Sequence, residues 1–460
     1  MVSVAIIGAG VSGLTAAYWL KQHGIAATVF EAAGRTGGVI RSERLDGYLV
    51  EYGPSSIEGI DPITEELLRE LDLEALSCAA RQPTRRLAIV RGGRLHMMPG
   101  SAKAFVTTQL FSLSGKLRLM REPFIKAGNP EQEESVAAFA RRRLGREGSD
   151  YLLGPFITSV LSGDPERFSI RHALLGLSQI EQRHGSLSRG FLHMARARKR
   201  QAGTKPARAR TFSFRNGVQT LTDALADALH DHIRLNTAVV RLQYNSAGWT
   251  VTTKSDGRET QANFDTVICT IPLYQLAALE IEPACDTTPL SEVEYPPLSL
   301  LALGFRREQV GHSLEGTAMF VPAVEGETLR ATLFSSSVYP ERAPEGSVLL
   351  TNFIGGASNP SQAQLPSRKL VAAVIRDLGP LLKITGQPTF IKHMYLDHSL
   401  PQYNVGYGRV LECIERMEAN LPGFFMAGNY RQGISVRAAL LSGHETAQRV
   451  LSTLAPEPVR

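Results

Sequence analysis

Hydrophobic positions in the first thirty residues fall into three blocks with different periods. Met1–Ile7 (MVSVAII) is a short, continuous Val- and Ile-rich run, the pattern of a buried strand. The stretch LTAAYWLKQHG after Gly13 has helical spacing and is stopped by Gly24. Ile25–Phe30 is a second apolar run, ending on Glu31. Between the first strand and the helix stands Gly8-Ala9-Gly10-Val11-Ser12-Gly13. Each glycine has a physical job in a turn that holds a dinucleotide. Gly8 permits the tight exit from the strand, Gly10 lets a pyrophosphate approach the backbone, and Gly13 lets helix and strand close together. The helix N-terminus adds unpaired N–H groups and a favourable dipole. Glu31, 18 residues after Gly13, is placed to accept hydrogen bonds from a ribose, with Ala32 beside it. Glycine turns alone are common; strand, glycines, helix, strand and acid in this order are a strong signal.

The pattern continues with shorter elements. Arg35-Thr36-Gly37-Gly38, followed by Val39–Arg41, suggests a chain passing close over a bulky ligand. Tyr48–Tyr52 alternates like a strand and runs into the turn Gly53-Pro54-Ser55-Ser56. Residues 57–80, containing ITEELLRELDLEAL, predict an amphipathic helix. Arg86–Arg91, Gly92-Gly93 and Arg94–Met98 read as a hairpin. Residues 101–200 are helix-rich, with two apolar pieces at Ala104–Ile125 and Tyr151–Leu161. Past Thr211 come a helix at Leu221–Leu229 and strands at Ile233–Asn236, Ala238–Gln243, Trp249–Thr253 and Asp265–Ile271. Strands at Leu298–Gly304 and Ser347–Phe353 and a helix near Lys369–Leu382 follow. A strand at Phe424–Ala427 and a helix at Val436–Leu451 close the chain.

These elements predict an α/β protein with a discontinuous, Rossmann-like dinucleotide-binding domain, a mixed-sheet substrate domain and a helical insertion. The expected boundaries are 1–80, 206–285 and 416–460 for the first, 81–100 and 286–415 for the second, and 101–205 for the third. Composition changes little: 43% hydrophobic and 20% charged residues describe an ordinary globular chain. Cys78, Cys269, Cys285 and Cys413 form no CxxC and have no histidines at metal spacing. That predicts no metal site, no disulfide framework and a reducing, cytoplasmic setting. The N-terminal apolar run is strand-length without a basic leader, which argues against a signal peptide. No run of 18 apolar residues spans a bilayer. Charge adds one feature: Arg196–Arg210 (RARKRQAGTKPARAR) is basic without an acid. A solvated loop and a contact with anionic lipid are both open; nucleic acid is disfavoured, because no aromatics interleave.

The fingerprint, Glu31, Arg35–Gly38 and Glu51–Ser56 (EYGPSS) together resemble the FAD-binding start of the flavin amine-oxidase superfamily, which includes monoamine oxidases, phytoene desaturase-type enzymes and porphyrinogen oxidases. Later segments resemble the proto- and coproporphyrinogen oxidase branch: Ser162–Ser169 (SGDPERFS), Ser213–Leu221 (SFRNGVQTL), Ser335–Gly346 (SSSVYPERAPEG), Asn352–Gly356 (NFIGG) and Leu400–Tyr403 (LPQY). Ala427–Tyr430, Gly433–Val436 and Ser442-Gly443 do so too. The resemblance runs in order over essentially the whole chain. It implies FAD, held by Gly8, Ala9, Gly10, Val11, Ser12, Gly13, Glu31, Ala32, Arg35, Gly38, Val39, Gly53, Pro54, Ser55, Ser56, Val239, Ala427, Gly428, Ile434, Ser435 and Val436. Val239 would lie against the adenine, and the helix from Val436 would direct its N-terminus at the flavin pyrimidine carbonyl.

The resemblance also implies the substrate. A porphyrinogen, proto- or copro-, is oxidised by molecular oxygen in heme biosynthesis with release of hydrogen peroxide, and the flavin carries the redox chemistry. Phe353 matches a ring-stacking position. Arg86 is the candidate cation for a propionate, although the family's arginine falls one place later, on Leu87, and Arg85 is an equal neighbour. Ser159 stands where the family usually has glycine, which narrows the slot or adds a hydrogen bond. The helical insertion is implied to dock peripherally on a membrane, the alternative being an ordinary helical subdomain. A homodimer is left open. Two other readings remain: an amine oxidase or desaturase, and a non-catalytic, porphyrin-carrying flavin-fold protein. An amine oxidase should carry a paired aromatic cage near the C-terminus, where only Tyr430 sits; the intact fingerprint argues against the carrier.

Overall fold

The computed structural model describes residues 2–59, 61–80, 87–200, 211–326 and 328–454. Its first layer is a five-stranded, all-parallel sheet in the order Ile233–Arg234, Ala26–Phe30, Ser3–Ile7, Thr266–Cys269, Phe424–Met426. The strands come from the beginning, middle and end of the chain. A parallel sheet must be covered on both faces, and these strands read as continuous apolar runs for that reason. The helices Val11–Gln22, Gln219–Ala228 and Val436–Leu454 pack on one side around Leu14, Trp19, Leu225 and Leu440. On the other side Ala5, Ile7, Val267 and Phe424 meet Trp249, Tyr403 and Cys413.

A second, seven-stranded sheet runs Phe390–Leu396, Leu298–Arg306, Ser347–Gly355, Leu329–Leu333, Ala318–Phe320, Leu87–Arg91, Arg94–Met97. Only the pairing of Ala318–Phe320 with Leu87–Arg91 is parallel. The helix Ser367–Leu382 seals one face through Leu370, Val374, Leu378 and Leu382. Against the other face, Ile89, Phe320 and Ala331 pack with Phe111, Tyr151 and Leu152 of the helical segment. Leu298–Arg306, covered on both faces, is buried at eight successive positions.

The helical segment is fastened by a buried ion cluster. Arg143, fully buried, pairs with Glu122 and Glu181 and donates to the carbonyl of Ile125 at 2.8 Å. Glu122 in turn accepts from Ser186 Oγ (2.7 Å) and from the N–H groups of Leu187 (2.9 Å) and Ser188 (3.0 Å), anchoring the start of the helix Leu187–Arg200. Among the described residues no helix is long and apolar enough to cross a membrane.

One expectation needs correction, and one strand was missed. The helix expected over 57–80 is confined to Pro62–Glu70, capped by Asp61, which accepts from Thr64 N–H at 3.0 Å. Its flanks, Ile57–Glu58 and Ser77–Ala79, are strands paired with the two sides of Thr211–Phe214. A distant strand overrides the local helical period there. The strand Arg258–Phe264 was not anticipated, because six of its seven residues are exposed and carry no apolar alternation.

Arg143→Met should cost about 3–5 kcal/mol, because it leaves buried Glu122 without its cation and Glu181 with Arg142 alone; denaturant unfolding measures this. Glu122 and Glu181 titrate below the ordinary 4.5: burial opposes this, but hydrogen bonds from Ser188, Ser186 and Leu187 for the first, and from Arg142 and Arg143 for the second, outweigh it. Since both folded values lie below the unfolded one, their stabilisation is complete above the unfolded value and is lost as pH falls through the folded values. Acid titration of the variant should therefore lose less stability across that window than titration of the wild type.

Candidate functional site

The glycine turn is built by steric exclusion. Gly8 leaves the first strand at φ 101°, a region that favours glycine. A Cβ on Gly13 would lie 2.1 Å from Gly8 O, so no side chain fits. A Cβ on Gly10 would meet nothing within 4 Å: the space above that residue is open. Gly10 precedes the helix Val11–Gln22, whose N-terminus has no side-chain cap and no acid in its first turn. Its dipole is not offset by the protein itself. Glu31 Oε2 accepts from Ala9 N–H at 2.8 Å and Oε1 from Ala33 N–H at 2.9 Å. A carboxylate has lone pairs to spare after two such bonds, available to hydroxyl groups. Ala32 is exposed beside it. Val11 is buried, and Ser12 spends its hydroxyl on Ala439 O (2.7 Å) in the last helix.

Three further segments converge on this turn. Gly37 N–H donates to Ala9 O at 2.8 Å, and a Cβ on Gly38 would sit 3.2 Å from Gly10 Cα. Arg35 folds back on its own loop, donating to the carbonyls of Thr36 (2.9 Å), Ile40 (3.2 Å) and Gly38. Burial, then the nearby Arg41, lowers its pKa. Val39 is 58% exposed, and the backbone of Gly53 closes against it, since a Cβ there would lie 2.6 Å from Val39 O. Pro54, Ser55 and Ser56 follow, half-buried. Val239, half-buried, sits at a bulge in the strand Ala238–Asn245. From the far end of the chain, buried Ala427 precedes Gly428, whose N–H donates to Ser442 Oγ at 3.0 Å. Ile434 is half-buried. Ser435 caps the helix Val436–Leu454 by accepting from Ala438 N–H at 3.1 Å, and the first turn at Val436 carries no acid.

A buried clamp holds these loops together. Arg342 pairs with Glu51, donates to Ser213 Oγ (2.6 Å) and reaches Ser55 O (3.3 Å). Glu51 also accepts from Val218 N–H (3.0 Å) and from Ser42. The clamp joins the EYGPSS, SFRNGVQTL and PERAP segments, three motifs whose individual residues reveal no partner in sequence.

Ser159 and Phe353 both adjoin the strand Leu329–Leu333 of the seven-stranded sheet. Ser159, in the helix Gly154–Val160, is buried and donates to Arg330 O at 2.9 Å; its hydroxyl has taken a hydrogen bond. The next residue, Ala331, pairs with Phe353, and a bulge interrupts the register between Leu329 and Ala331. Phe353 is half-buried between two apolar clusters, one around Tyr48 and Leu300, the other around Phe111 and Ala331. Arg85 and Arg86 lie outside the described residues, as do residues 201–210 of the basic tract and the side chains of 198–200. Tyr430 is fully committed to the core, donating to Ala427 O (2.8 Å) and Cys269 O (3.2 Å), and so offers no aromatic cage. No group of three potential metal ligands occurs among the described residues.

The uncapped N-terminus of Val11–Gln22, the open space over Gly10, the spare acceptors of Glu31 and the exposed Val39 fit a diphosphate, a ribose and an apolar ring in that order. A family model described as flavin containing amine oxidoreductase matches residues 11–451. The chain belongs to this family. It is an FAD-dependent oxidoreductase with the family's α/β fold and mixed sheets. Protoporphyrinogen oxidase 2, chloroplastic/mitochondrial, of Arabidopsis thaliana is 36% identical over 98% of this chain and 94% of its own. Coproporphyrinogen III oxidase of Bacillus subtilis is 28% identical over 98% of each. A crystal structure from Exiguobacterium sp. 255-15 superposes with TM-score 0.83 at 24% identity, covering 98% of this chain and 99% of its own, a likeness of fold.

Glu31→Ala removes the candidate ribose acceptor and the partner of Ala9 and Ala33 N–H. It should weaken FAD retention about tenfold or more, roughly 1.4 kcal/mol, as read by flavin fluorescence on dilution of the holoprotein.

Proposed function

We propose that this chain oxidises protoporphyrinogen IX to protoporphyrin IX, with molecular oxygen as acceptor and hydrogen peroxide released, in heme biosynthesis. The observation that carries the reading is near-full-length similarity to a protoporphyrinogen oxidase at 36% identity. Coproporphyrinogen III oxidation to coproporphyrin III is the second reading, supported by the 28% identical Bacillus subtilis relative. Bound FAD supplies the two-electron redox chemistry. The chain's own residues then have to bind and orient a flat, greasy, anionic molecule.

Phe353 offers its ring to the tetrapyrrole, and Ser159 narrows the slot beside it. Arg86 gives a propionate a bidentate partner. The backbone of residues 8–13, with Glu31, seats the diphosphate and ribose, and the N-terminus of Val436–Leu454 faces the flavin pyrimidine end. There its partial positive charge favours negative charge on the reduced ring. In this reading the cofactor domain comprises 1–80, 206–285 and 416–460, and the substrate domain 81–100 and 286–415.

The helical segment 101–205 is proposed to rest on an anionic membrane surface while the chain remains cytoplasmic. Leu113, Leu117, Met120 and Phe124 are 76%, 53%, 61% and 81% exposed within a dozen residues, and Lys116 and Arg121 flank them. Apolar anchors with a basic rim are the composition of an interfacial element.

Supplied side by side, proto- and coproporphyrinogen should each report directly, since the aromatic product fluoresces as oxygen is consumed; absence of turnover with both sinks the proposal. Ser159→Gly, which removes the bond to Arg330 O, should change the ratio of kcat/KM for the two substrates by about three- to tenfold, roughly 0.7–1.4 kcal/mol; an unchanged ratio removes Ser159 from the slot. Phe124→Glu should lower co-sedimentation with anionic vesicles severalfold at low salt without changing turnover of detergent-dispersed substrate.

A further inference from the structure

A cation stands without a carboxylate at one edge of the sheet face that holds Phe353. In the seven-stranded sheet Leu300 pairs with Phe353 on one side and with Met394 of the edge strand on the other. Two residues along, Ala302 pairs in the same way with Thr351 and with Lys392. Directly paired residues share a face of a sheet, and so do residues two apart on one strand. Lys392 and Phe353 therefore project from the same face. Strands lie about 4.8 Å apart and alternate residues about 7 Å along a strand, so the two Cα atoms stand roughly 12 Å apart. Lys392 is half-buried, and its ammonium group pairs with no carboxylate among the described residues.

The groups facing Lys392 belong to the loops around the glycine turn. Its Nζ is 5.8 Å from the centroid of the Tyr52 ring, and the Arg41 guanidinium lies over the same ring at 4.3 Å. Tyr52 N–H donates to Arg41 O at 2.8 Å. Arg41 follows exposed Val39 by two residues, and Tyr52 precedes the Gly53 that closes against Val39. Tyr52 and Phe353 pack against one apolar cluster, around Tyr48 and Leu300. Glu43 pairs with Arg41 at 3.4 Å and accepts from the Tyr52 hydroxyl. Burial, then the bond to Glu43, raises the Tyr52 pKa, so the phenol adds no negative charge. Two cations against one carboxylate leave one positive charge between the Val39 loop and the Phe353 face. The Arg41 side chain is 43% exposed, so the cluster is open to a ligand.

We propose that Lys392, with Arg41 beside it over Tyr52, binds a propionate carboxylate of the tetrapyrrole. This rests on the porphyrinogen reading and adds an anchor to it. Ammonium and guanidinium groups only donate, and an ionised carboxylate only accepts. A ring stacked on Phe353 is free to turn about its own axis. A propionate held at the sheet edge removes that freedom, and with it sets the ring position that is presented to the flavin. The interaction is the same before and after oxidation, because the propionates take no part in the redox step. It therefore acts on binding and leaves the chemical step alone.

The test uses the holoenzyme with proto- and coproporphyrinogen and, as uncharged probes, their methyl esters dispersed in detergent. Lys392→Met keeps most of the stem and removes the charge. It should raise KM about tenfold, equivalent to about 1.4 kcal/mol, for whichever acid the wild type oxidises. The same variant should change kcat less than about twofold. Lys392→Arg should return KM to within about threefold of the wild type, since the charge is restored on a different head group. With the esters, wild type and Lys392→Met should show the same KM. An unchanged KM for the acids overturns the proposal, and so does an equal rise with the esters, which makes Lys392 a packing residue. Loss of flavin, with KM unchanged once FAD is resupplied, also overturns it, because the cation then serves the cofactor. Should Lys392→Met not fold, Lys392→Gln carries the same comparison of acids with esters. A wild-type holoenzyme that turns over neither porphyrinogen fails the functional reading itself, before any variant is made.

Discussion

The helix Val11–Gln22 is gripped at backbone distance from two sides, and the layer built on the five-stranded parallel sheet depends on that grip. On one side Gly13 lies so close to Gly8 O that a Cβ would stand 2.1 Å away; on the other, a Cβ on Gly443 would stand 2.2 Å from Ser12 O. Thr270 adds a hydroxyl that donates to Ile7 O at 2.9 Å and lies 2.9 Å from where a Cβ on Gly8 or on Gly13 would be. Three segments, near residues 8–13, 270 and 443, must arrive together for the helix to sit down. Once seated it is buried at every position from Val11 to Leu20, which accounts for its nearly uniform apolar sequence.

That seating fixes the direction of an uncapped helix N-terminus, and the surrounding loops take their positions from it. The segment around Gly37 and Gly38 rests on Ala9 and Gly10, and the Gly53 turn closes against Val39. The Glu51–Arg342 pair then carries the same order across to the seven-stranded sheet, whose Ser347–Gly355 strand holds Phe353. A buried ion pair of this sort adds little net stability when complete and costs much when broken. Its contribution is to fix the geometry between the loops around the glycine turn and the seven-stranded sheet.

Local chemistry was legible in the sequence, and distant pairing was not. The glycine turn, both flanking strands and Glu31 could be placed because each is decided within thirty residues by sterics and period. The C-terminal return through Gly428 and Ser435 was found from the resemblance. The strand Arg258–Phe264 escaped because an exposed strand needs no apolar alternation, and the flanks of Pro62–Glu70 became strands only because Thr211–Phe214 offers them a partner. Arg342 appeared in a motif, but nothing in the chain announces that its partner is Glu51. Ser12 stands in the fingerprint, and the bond of its hydroxyl to Ala439 O in the last helix could not be read from it.

The central claim is that one cradle of glycine turns presents FAD to a tetrapyrrole held on the Phe353 face. Admitting porphyrinogen to the yellow holoprotein under nitrogen tests both halves at once. Loss of the oxidised-flavin absorbance together with the appearance of porphyrin fluorescence, and recovery of the flavin spectrum when oxygen enters, is the predicted result. A protein that binds FAD yet keeps its oxidised spectrum in the presence of proto- and coproporphyrinogen alike would contradict the account.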